Sequence, residues 1–303
     1  MTEQRTIAFS KMSGLGNDFI IIDARENKLE PPLTPVQVWQ LAARDNEITK
    51  GCDQVLVLHP PKSGGDIFMQ IFNADGGEVE ACGNGARAIT QWLVERGDLQ
   101  KVTIETLGGI LNCHLIKNFD AQDPHYMAVA MPPPKFGWRD IPLNKEIEDT
   151  TQVQLHEDLP PAFLVNVGNP HAVFFVADSD NVDDMTAQYG ETLVHHSLFA
   201  QGANINFAFV ENNNIQSISL ATWERGAGLT QACGTGACAV AIAATHLNLR
   251  TLKGVTNVYP PFARQDRALP IFLSFISVHY NPAHKTLFQY GPAALEFDGE
   301  ITL

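Results

Sequence analysis

The chain has 303 residues, 45% hydrophobic and 18% charged, which is typical of a globular protein long enough for two domains of ordinary size. Its 34 acidic residues outnumber the 20 basic ones and give a net charge of −14. Nucleic acids and anionic membranes are therefore disfavoured as partners, because both require a basic face. No apolar run reaches the roughly 18 residues of a membrane helix, so a cytoplasmic protein is expected.

The first half of the chain alternates between strands and loops, with two helices. Strands are predicted at 6–10, 19–23, 55–58, 66–72, 101–106, 110–116 and 126–131. Asn17 and Asp18 are expected at the tip of a loop over 11–18. One helix is predicted from the N-cap Thr34 and Pro35 to about residue 44, and a second helix, rich in small apolar residues, over 84–96.

Three prolines at 132–134 and the polar, acidic run that follows to residue 158 predict a linker or a long surface loop. Beyond it, apolar runs predict strands at 172–176, 205–210, 271–278, 285–290 and 294–303. The segment 249–274 has no clear pattern.

A glycine-rich block around a cysteine occurs twice. The sequence A-C-G-x-G-A stands at 81–86 and again at 232–237, which puts Cys82 and Cys233 151 residues apart. Gly-Asn at 16–17 and 168–169, and Gly51 and Gly202, precede similar apolar runs at offsets of 152 and 151 residues. Three landmarks at nearly one spacing predict an internal duplication. We expect one domain over 1–123 plus 290–303 and a second over 124–289.

The other cysteines are interpreted as packing residues. The chain has five cysteines, an odd number that disfavours a disulfide framework, so Cys52, Cys113 and Cys238 are expected to be free and buried. No histidine stands at ligand spacing beside Cys233 and Cys238, so no metal site is expected.

The repeated cysteines suggest a specific chemistry. A helix start presents unpaired backbone N–H groups and a partial positive charge, which lower the pKa of a thiol and bind carboxylates. Two similar halves that face each other would place Cys82 and Cys233 on opposite faces of one carbon. Racemisation or epimerisation needs this arrangement, because one thiolate removes the α-proton and the opposite thiol returns a proton. A hydrolase would need one thiol and one base.

Several blocks in order resemble the signature of the diaminopimelate epimerase family. They are M-S-G-L-G-N-D-F at 12–19, F-N-A-D-G at 72–76 with A-C-G-N-G at 81–85, G-N-P-H at 168–171, and E-R-G-A-G at 224–228 with A-C-G-T-G-A-C at 232–238. The resemblance implies an α/β (α+β) fold of two homologous, pseudo-symmetric domains, each a mostly antiparallel mixed sheet curled around a central helix. The active site would lie between the domains.

The resemblance also implies the activity: epimerisation of LL- to meso-2,6-diaminopimelate without a cofactor, in lysine and peptidoglycan precursor synthesis. The implied partner is this small-molecule substrate, and a homodimer is one open assembly state. The implied catalytic residues are Cys82 and Cys233 as the acid/base pair, with His171 and Glu224. The implied substrate contacts are Asn17, Gln54, Asn73, Gly83, Asn84, Asn169, Asn206, Glu224, Arg225, Gly234 and Thr235.

Alternative interpretations remain open at this point. A relative acting on proline, hydroxyproline or histidine would keep both thiols and change the distal contacts, and a binding protein without catalysis would keep the two halves. From the residues alone, Asn17 and Asn169 are also compatible with ordinary turns, His171 with a structural role, and Glu224 with a solvated ion pair.

Overall fold

The computed structural model describes residues 5–26, 29–80, 82–97, 99–116, 126–179, 181–211, 217–249, 255–261 and 276–303. Its contacts divide the chain into two units, Met1–Val129 with Gly291–Leu303, and Ala130–Tyr290. Most of the unassigned segment 249–274 lies outside the described residues.

The first part of the chain forms β1 (Thr6–Gly14), β2 (Asn17–Asp23), α1 (Pro35–Ala42), β3 (Gln54–His59), β4 (Ile67–Asn73), β5 (Glu78–Val79), α2 (Gly83–Glu95), β6 (Lys101–Thr106), β7 (Gly109–Ile116) and β8 (Tyr126–Met131). The rest forms β9 (Phe163–Asn166), β10 (Pro170–Phe175), α3 (Asn181–Val194), β11 (Asn204–Val210), β12 (Ser217–Glu224), β13 (Gly228–Thr230), α4 (Gly234–His246), β14 (Val255–Tyr259), β15 (Ile276–Asn281), β16 (Thr286–Gly291) and β17 (Ala294–Thr302).

The two units repeat one strand topology. In the first unit, β1 pairs antiparallel with β2 and β17, β2 pairs parallel with β3, β3 antiparallel with β4, β4 parallel with β6, and β6 antiparallel with β7. In the second, β9 pairs antiparallel with β10, β10 parallel with β11, β11 antiparallel with β12, β12 parallel with β14, and β14 antiparallel with β15. The predicted α/β duplication is confirmed.

Each unit surrounds one buried helix with its sheet. Helix α2 contacts β1, β2, β6, β7 and β17, and helix α4 contacts β9, β10, β11, β12, β14 and β15. Residues 236–244 of α4 are all buried. A helix that is apolar on every side requires such enclosure, and its alanines and glycines allow the strands to approach closely.

The predicted loop over 11–18 is wrong in its extent. β1 continues to Gly14, which pairs with Asn17 at the start of β2. Only Leu15 and Gly16 turn the chain, and both have positive φ, 53° and 82°. This geometry is that of a tight two-residue hairpin, which matches the twist of the strands it joins. The direction of the Asn17 side chain is therefore set by its position in β2.

The segment after the three prolines differs from a loose surface loop. It lacks long helices and strands, but Ile141, Leu143, Val153 and Leu155 are buried in the core of the second unit. Apolar side chains spaced along an otherwise polar run anchor it to that core, so it is part of the second unit's packing.

Helix α3 has no counterpart among the predicted elements. Its buried positions include Thr186 and Gly190, which weaken the apolar repeat. A Cβ added at Gly190 would lie 2.6 Å from Cβ of Trp223, so close packing against β12 requires glycine here. The same glycine weakens the helical pattern of the sequence. Within the described ranges, no helix is long and apolar enough to cross a bilayer.

One buried carboxylate ties a loop to the first unit. Glu105, on β6, accepts hydrogen bonds from the backbone N–H groups of Lys62 at 2.6 Å, Ser63 at 2.8 Å and Gly65 at 2.6 Å. The bond from Gly65, followed by those from Lys62 and Ser63, lowers the pKa of Glu105 to about 2. The ionised form therefore holds the loop.

Replacement of this residue, Glu105→Gln, is expected to lower the melting temperature at pH 7, because an amide accepts fewer of these bonds. The folded pKa, about 2, lies below the ordinary value of about 4.3 for an unfolded chain. The stability that the wild type has over Glu105→Gln is therefore fully present above about pH 4.3. It is lost as the pH falls towards 2. Thermal melts from pH 7 to pH 2.5 measure this. The exposed Glu47→Gln is the control. A difference in melting temperature between the wild type and Glu105→Gln that does not change with pH would contradict the assignment.

Candidate active site

Both buried helices begin with the same thiol contact. Cys82 is the N-cap of α2, and its Sγ accepts a hydrogen bond from the backbone N–H of Gly85 at 3.2 Å. Cys233 is the N-cap of α4, and its Sγ accepts from Gly236 at 3.3 Å. N-caps are usually Ser, Thr, Asp or Asn, because oxygen is the better acceptor. Both helices thus begin with a weaker acceptor than the residues that N-caps usually carry.

The glycines at the third helical position allow close packing. Their missing side chains face the strands of their own unit. A Cβ at Gly236 would lie 2.7 Å from Asn206 Oδ1 and 2.8 Å from Thr222 Oγ1. At Gly85 the nearest atom would be Cδ1 of Leu56, at 3.2 Å. These glycines let the helix starts pack onto the sheet.

In the second unit, Cys233 lies beside a carboxylate. The thiol is 5% exposed, and burial, followed by the charge of Glu224, raises its pKa well above the ordinary value. Burial also raises the pKa of Glu224, whose Oε1 accepts a hydrogen bond from Thr230 Oγ1 at 2.7 Å. Thr235 Oγ1 lies 3.5 Å from the sulfur. Cys233 is therefore held as a neutral thiol.

His171, on β10, is fully buried in a chain of neutral hydrogen bonds. Thr222 Oγ1 donates to Asn206 Oδ1 at 3.0 Å, so the Asn206 amide nitrogen faces His171 and donates to its Nδ1 at 3.0 Å. The ring proton is then on Nε2, which lies 2.9 Å from Asn169 Oδ1. Burial lowers the pKa of His171 to about 3. The ring is a neutral donor near pH 7 and does not carry a charge.

Arg225 follows β12 directly and its guanidinium is exposed. Its backbone N–H donates to Asn204 Oδ1 at 2.8 Å, and its Nη1 donates to the carbonyl of Gln201 at 2.8 Å. Among the described residues no carboxylate lies within ion-pair distance of it, so the guanidinium retains donors for an anionic group.

In the first unit, the expected amide side chains form two hydrogen-bonded pairs. Asn84, in the first turn, donates through Nδ2 to Asn17 Oδ1 at 2.6 Å. Gln54 and Asn73 stand opposite each other on β3 and β4, and Gln54 Nε2 donates to Asn73 Oδ1 at 3.0 Å. Cys82 itself is half-buried. This half of the candidate site is polar and holds no carboxylate at the position that matches Glu224, which is Asn73.

The two half-sites therefore share a backbone but differ in chemistry. In the parallel ladder of β2 and β3, Phe19 pairs with Gln54. The corresponding pair in the ladder of β10 and β11 is His171 and Asn204. Beneath the third helical residue, the first unit has Leu56 where the second has Asn206. His171 and Asn206 near Cys233 are buried and polar, whereas the matching positions in the first unit hold the apolar Phe19 and Leu56.

The structure brings the expected residues into two groups, each within its own unit. In the first unit, Asn17 meets Asn84 at the start of α2, and Gln54 meets Asn73 on the neighbouring strands β3 and β4. In the second unit, the residues around the start of α4 are His171, Asn169, Asn206, Glu224 and Thr235. Sequence reasoning missed the residues that hold these groups in place, namely Asp53, Asn204, Thr222 and Thr230. The alternation of Asn204 with Asn206 along a strand was the available signal, since residues two apart share a face.

A solved structure identifies the fold. The chain is similar to a phenazine biosynthesis protein of the PhzF family from Bacillus anthracis, with a TM-score of 0.67, 17% identity, and coverage of 99% of this chain and 100% of that chain. Two α/β units, each wrapped around a buried helix, are the architecture of the PhzF and diaminopimelate epimerase fold.

The family follows from the sequence comparisons. A family model described as diaminopimelate epimerase matches residues 9–136 and 163–258. A diaminopimelate epimerase from Rhodopseudomonas palustris strain BisB18 is 36% identical, over 99% of this chain and 96% of that protein. One from Bradyrhizobium sp. strain BTAi1 is 40% identical, over 97% and 94%. The chain belongs to the diaminopimelate epimerase family and is an isomerase with an epimerase function.

The matched glycines give a paired prediction. Gly236→Ala forces a methyl group against two fixed polar atoms and should destabilise the protein by about 1–3 kcal/mol, whereas Gly85→Ala meets only a mobile leucine methyl and gains helix propensity. Urea unfolding of both variants measures the difference. Equal stability changes would show that the two helix starts are packed alike.

The histidine network gives a spectroscopic prediction. Nitrogen-15 NMR of the imidazole should show His171 neutral, with its proton on Nε2, from pH 8 down to about pH 4. The folded pKa lies below that of an unfolded chain, so this group destabilises the fold as the pH falls below about 6.5. Protonation near pH 6 would refute the buried arrangement, and the partly exposed His196 serves as the reference signal.

Proposed function

We propose that this protein interconverts LL- and meso-2,6-diaminopimelate by a two-cysteine mechanism, as a step of lysine and peptidoglycan precursor synthesis. The observation that carries the proposal is the pair of thiol-capped helix starts, one in each unit, in a chain that belongs to the diaminopimelate epimerase family.

The substrate carboxylate at the reacting carbon would bind to the helix starts. The backbone N–H groups of Gly83, Asn84, Gly234 and Thr235 stand in the first turns of α2 and α4, where helices leave donors unpaired. Removal of the α-proton moves an electron pair into this carboxylate, and the same donors stabilise the charge that develops. Arg225 would hold the distal carboxylate as a bidentate donor.

Two different protons move in the reaction, one from the substrate to Cys82 and one from Cys233 to the substrate. The mechanism requires the two sulfurs to reach opposite faces of the α-carbon. The Cys82 thiolate takes the α-proton, the electron pair enters the carboxylate, and the Cys233 thiol then delivers its proton to the carbon. Cys82 ends as a thiol and Cys233 as a thiolate, and the reverse reaction restores the first state.

The differences between the half-sites support this starting state. Cys233 is buried beside Glu224, and both factors favour its protonated form. Cys82 is half-buried, caps a helix and has the neutral Asn73 at the position that matches Glu224. The proposal therefore assigns the starting proton to Cys233 and the starting negative charge to Cys82.

Isotope exchange tests the activity directly. The reduced protein in deuterated water, without added pyridoxal phosphate, should place deuterium on an α-carbon of LL- or meso-diaminopimelate, as measured by mass spectrometry. Chiral chromatography with proline, hydroxyproline and histidine tests whether another amino acid is the substrate. Saturable diaminopimelate binding without exchange would show a binding protein, and absence of both would refute the proposal.

Single substitutions test the mechanism. Cys82→Ala and Cys233→Ala should each lower kcat for epimerisation by about 100-fold or more, because each removes one of the two proton carriers. Cys238→Ala, in α4 and fully buried, is the control and should retain activity. Near-normal turnover by either single variant, with melting temperatures matching the wild type, would rule out the two-thiol mechanism.

A further inference from the structure

A one-directional chain of hydrogen bonds links α2 to the loop before β3. Arg87 Nη2 donates to Asn84 Oδ1 at 2.5 Å, Asn84 Nδ2 donates to Asn17 Oδ1 at 2.6 Å, and Asn17 Nδ2 donates to Asp53 Oδ2 at 3.2 Å. The chain starts at a cation and ends at a carboxylate, and the two residues between them are amides expected to contact substrate.

The charged ends fix the orientation of both amides. A carboxylate only accepts hydrogen bonds, so Asn17 must turn its nitrogen towards Asp53 and its oxygen towards Asn84. Asn84 must then present its nitrogen, and its oxygen meets Arg87, which only donates. The flipped arrangement would place two acceptors or two donors together at each end.

Asp53 is itself held firmly. Its Oδ1 pairs with Arg44 Nη2 at 2.5 Å, and its Oδ2 accepts the backbone N–H of Asp18 at 3.0 Å. Asp18 Oδ1 accepts the backbone N–H of Asp53 in return, also at 3.0 Å. Arg44 and the buried Lys11 both pair with Asp18, so two cations balance two carboxylates.

We propose that Asp53 is a positioning residue for the reaction: it fixes the amide of Asn17, and through it that of Asn84, so that both present N–H donors to the substrate. The second hydrogen on each Nδ2 is not used within the chain of bonds, and a carboxylate is the group that two such donors suit. The inference rests on the proposed function.

Asp53→Asn tests the inference, because an amide at this position accepts or donates and no longer fixes Asn17. We expect kcat/KM for diaminopimelate to fall by about tenfold, the equivalent of one hydrogen bond to a charged group. Asp53→Glu keeps an acceptor-only group and should recover part of the loss. Asp23→Asn, which breaks an exposed ion pair with Arg25 in the same unit, is the control and should retain full kcat/KM.

A double-mutant cycle separates positioning from a general effect on folding. If Asp53 acts through Asn17, then Asp53→Asn should cause little further loss in an Asn17→Ala background. Equal losses in both backgrounds, or an unchanged kcat/KM in the single variant, would overturn the inference.

A readout without substrate keeps this test independent of the proposed function. Side-chain amide NMR spectra, assigned by the signal lost in Asn17→Ala, should show the Asn17 and Asn84 resonances shifting in Asp53→Asn and staying in place in Asp23→Asn. Unmoved signals would overturn the positioning role. Shifted signals in a protein that exchanges no diaminopimelate proton would instead show that the proposed substrate is wrong.

Discussion

The candidate site depends on a hydrogen bond from a backbone N–H to a cysteine sulfur at the start of each buried helix. This bond fixes the sulfur at the positive end of the helix, among donors that the helix leaves unpaired. The residue that donates this bond is a glycine in both units, and at Gly236 the strands approach so closely that a side chain would meet two polar atoms within 2.8 Å. The enclosed, alanine-rich helices and the sheets around them follow from the same requirement for close approach.

The duplicated scaffold gives two similar sulfur positions, and the side chains beneath them make the positions different. Leu56 in the first unit and Asn206 in the second occupy matching places below the helix start. In the second unit the Glu224 carboxylate lies next to the Cys233 thiol, and this charge, together with burial, favours the protonated form of Cys233. The side chains near the helix start thus differ between the units without a change in the backbone that holds the sulfurs.

Much of this organisation could be predicted from the sequence, because it depends on local patterns. The repeated glycine and cysteine blocks predicted the duplication and both helix starts, and the apolar runs predicted most strands. Helix α3 was missed because Gly190 packs against Trp223, so tertiary contact requires the residue that local propensity disfavours. The extent of the loop before Asn17 was wrong because a two-residue hairpin is set by pairing across strands, which the sequence of one strand does not show.

The orientation of individual asparagine side chains could not be predicted from the sequence, for a different reason. Asparagine offers a donor and an acceptor of nearly equal size, so its type alone does not tell which atom faces a ligand. In both units the answer comes from a group that can only donate or only accept. Asp53 sets the direction for Asn17, while the backbone carbonyl of Ala172 accepts from Asn206 at 3.0 Å and so keeps the donor side of that amide turned towards β10. Such groups are distant in sequence from the amides they orient, and the fold alone brings them together.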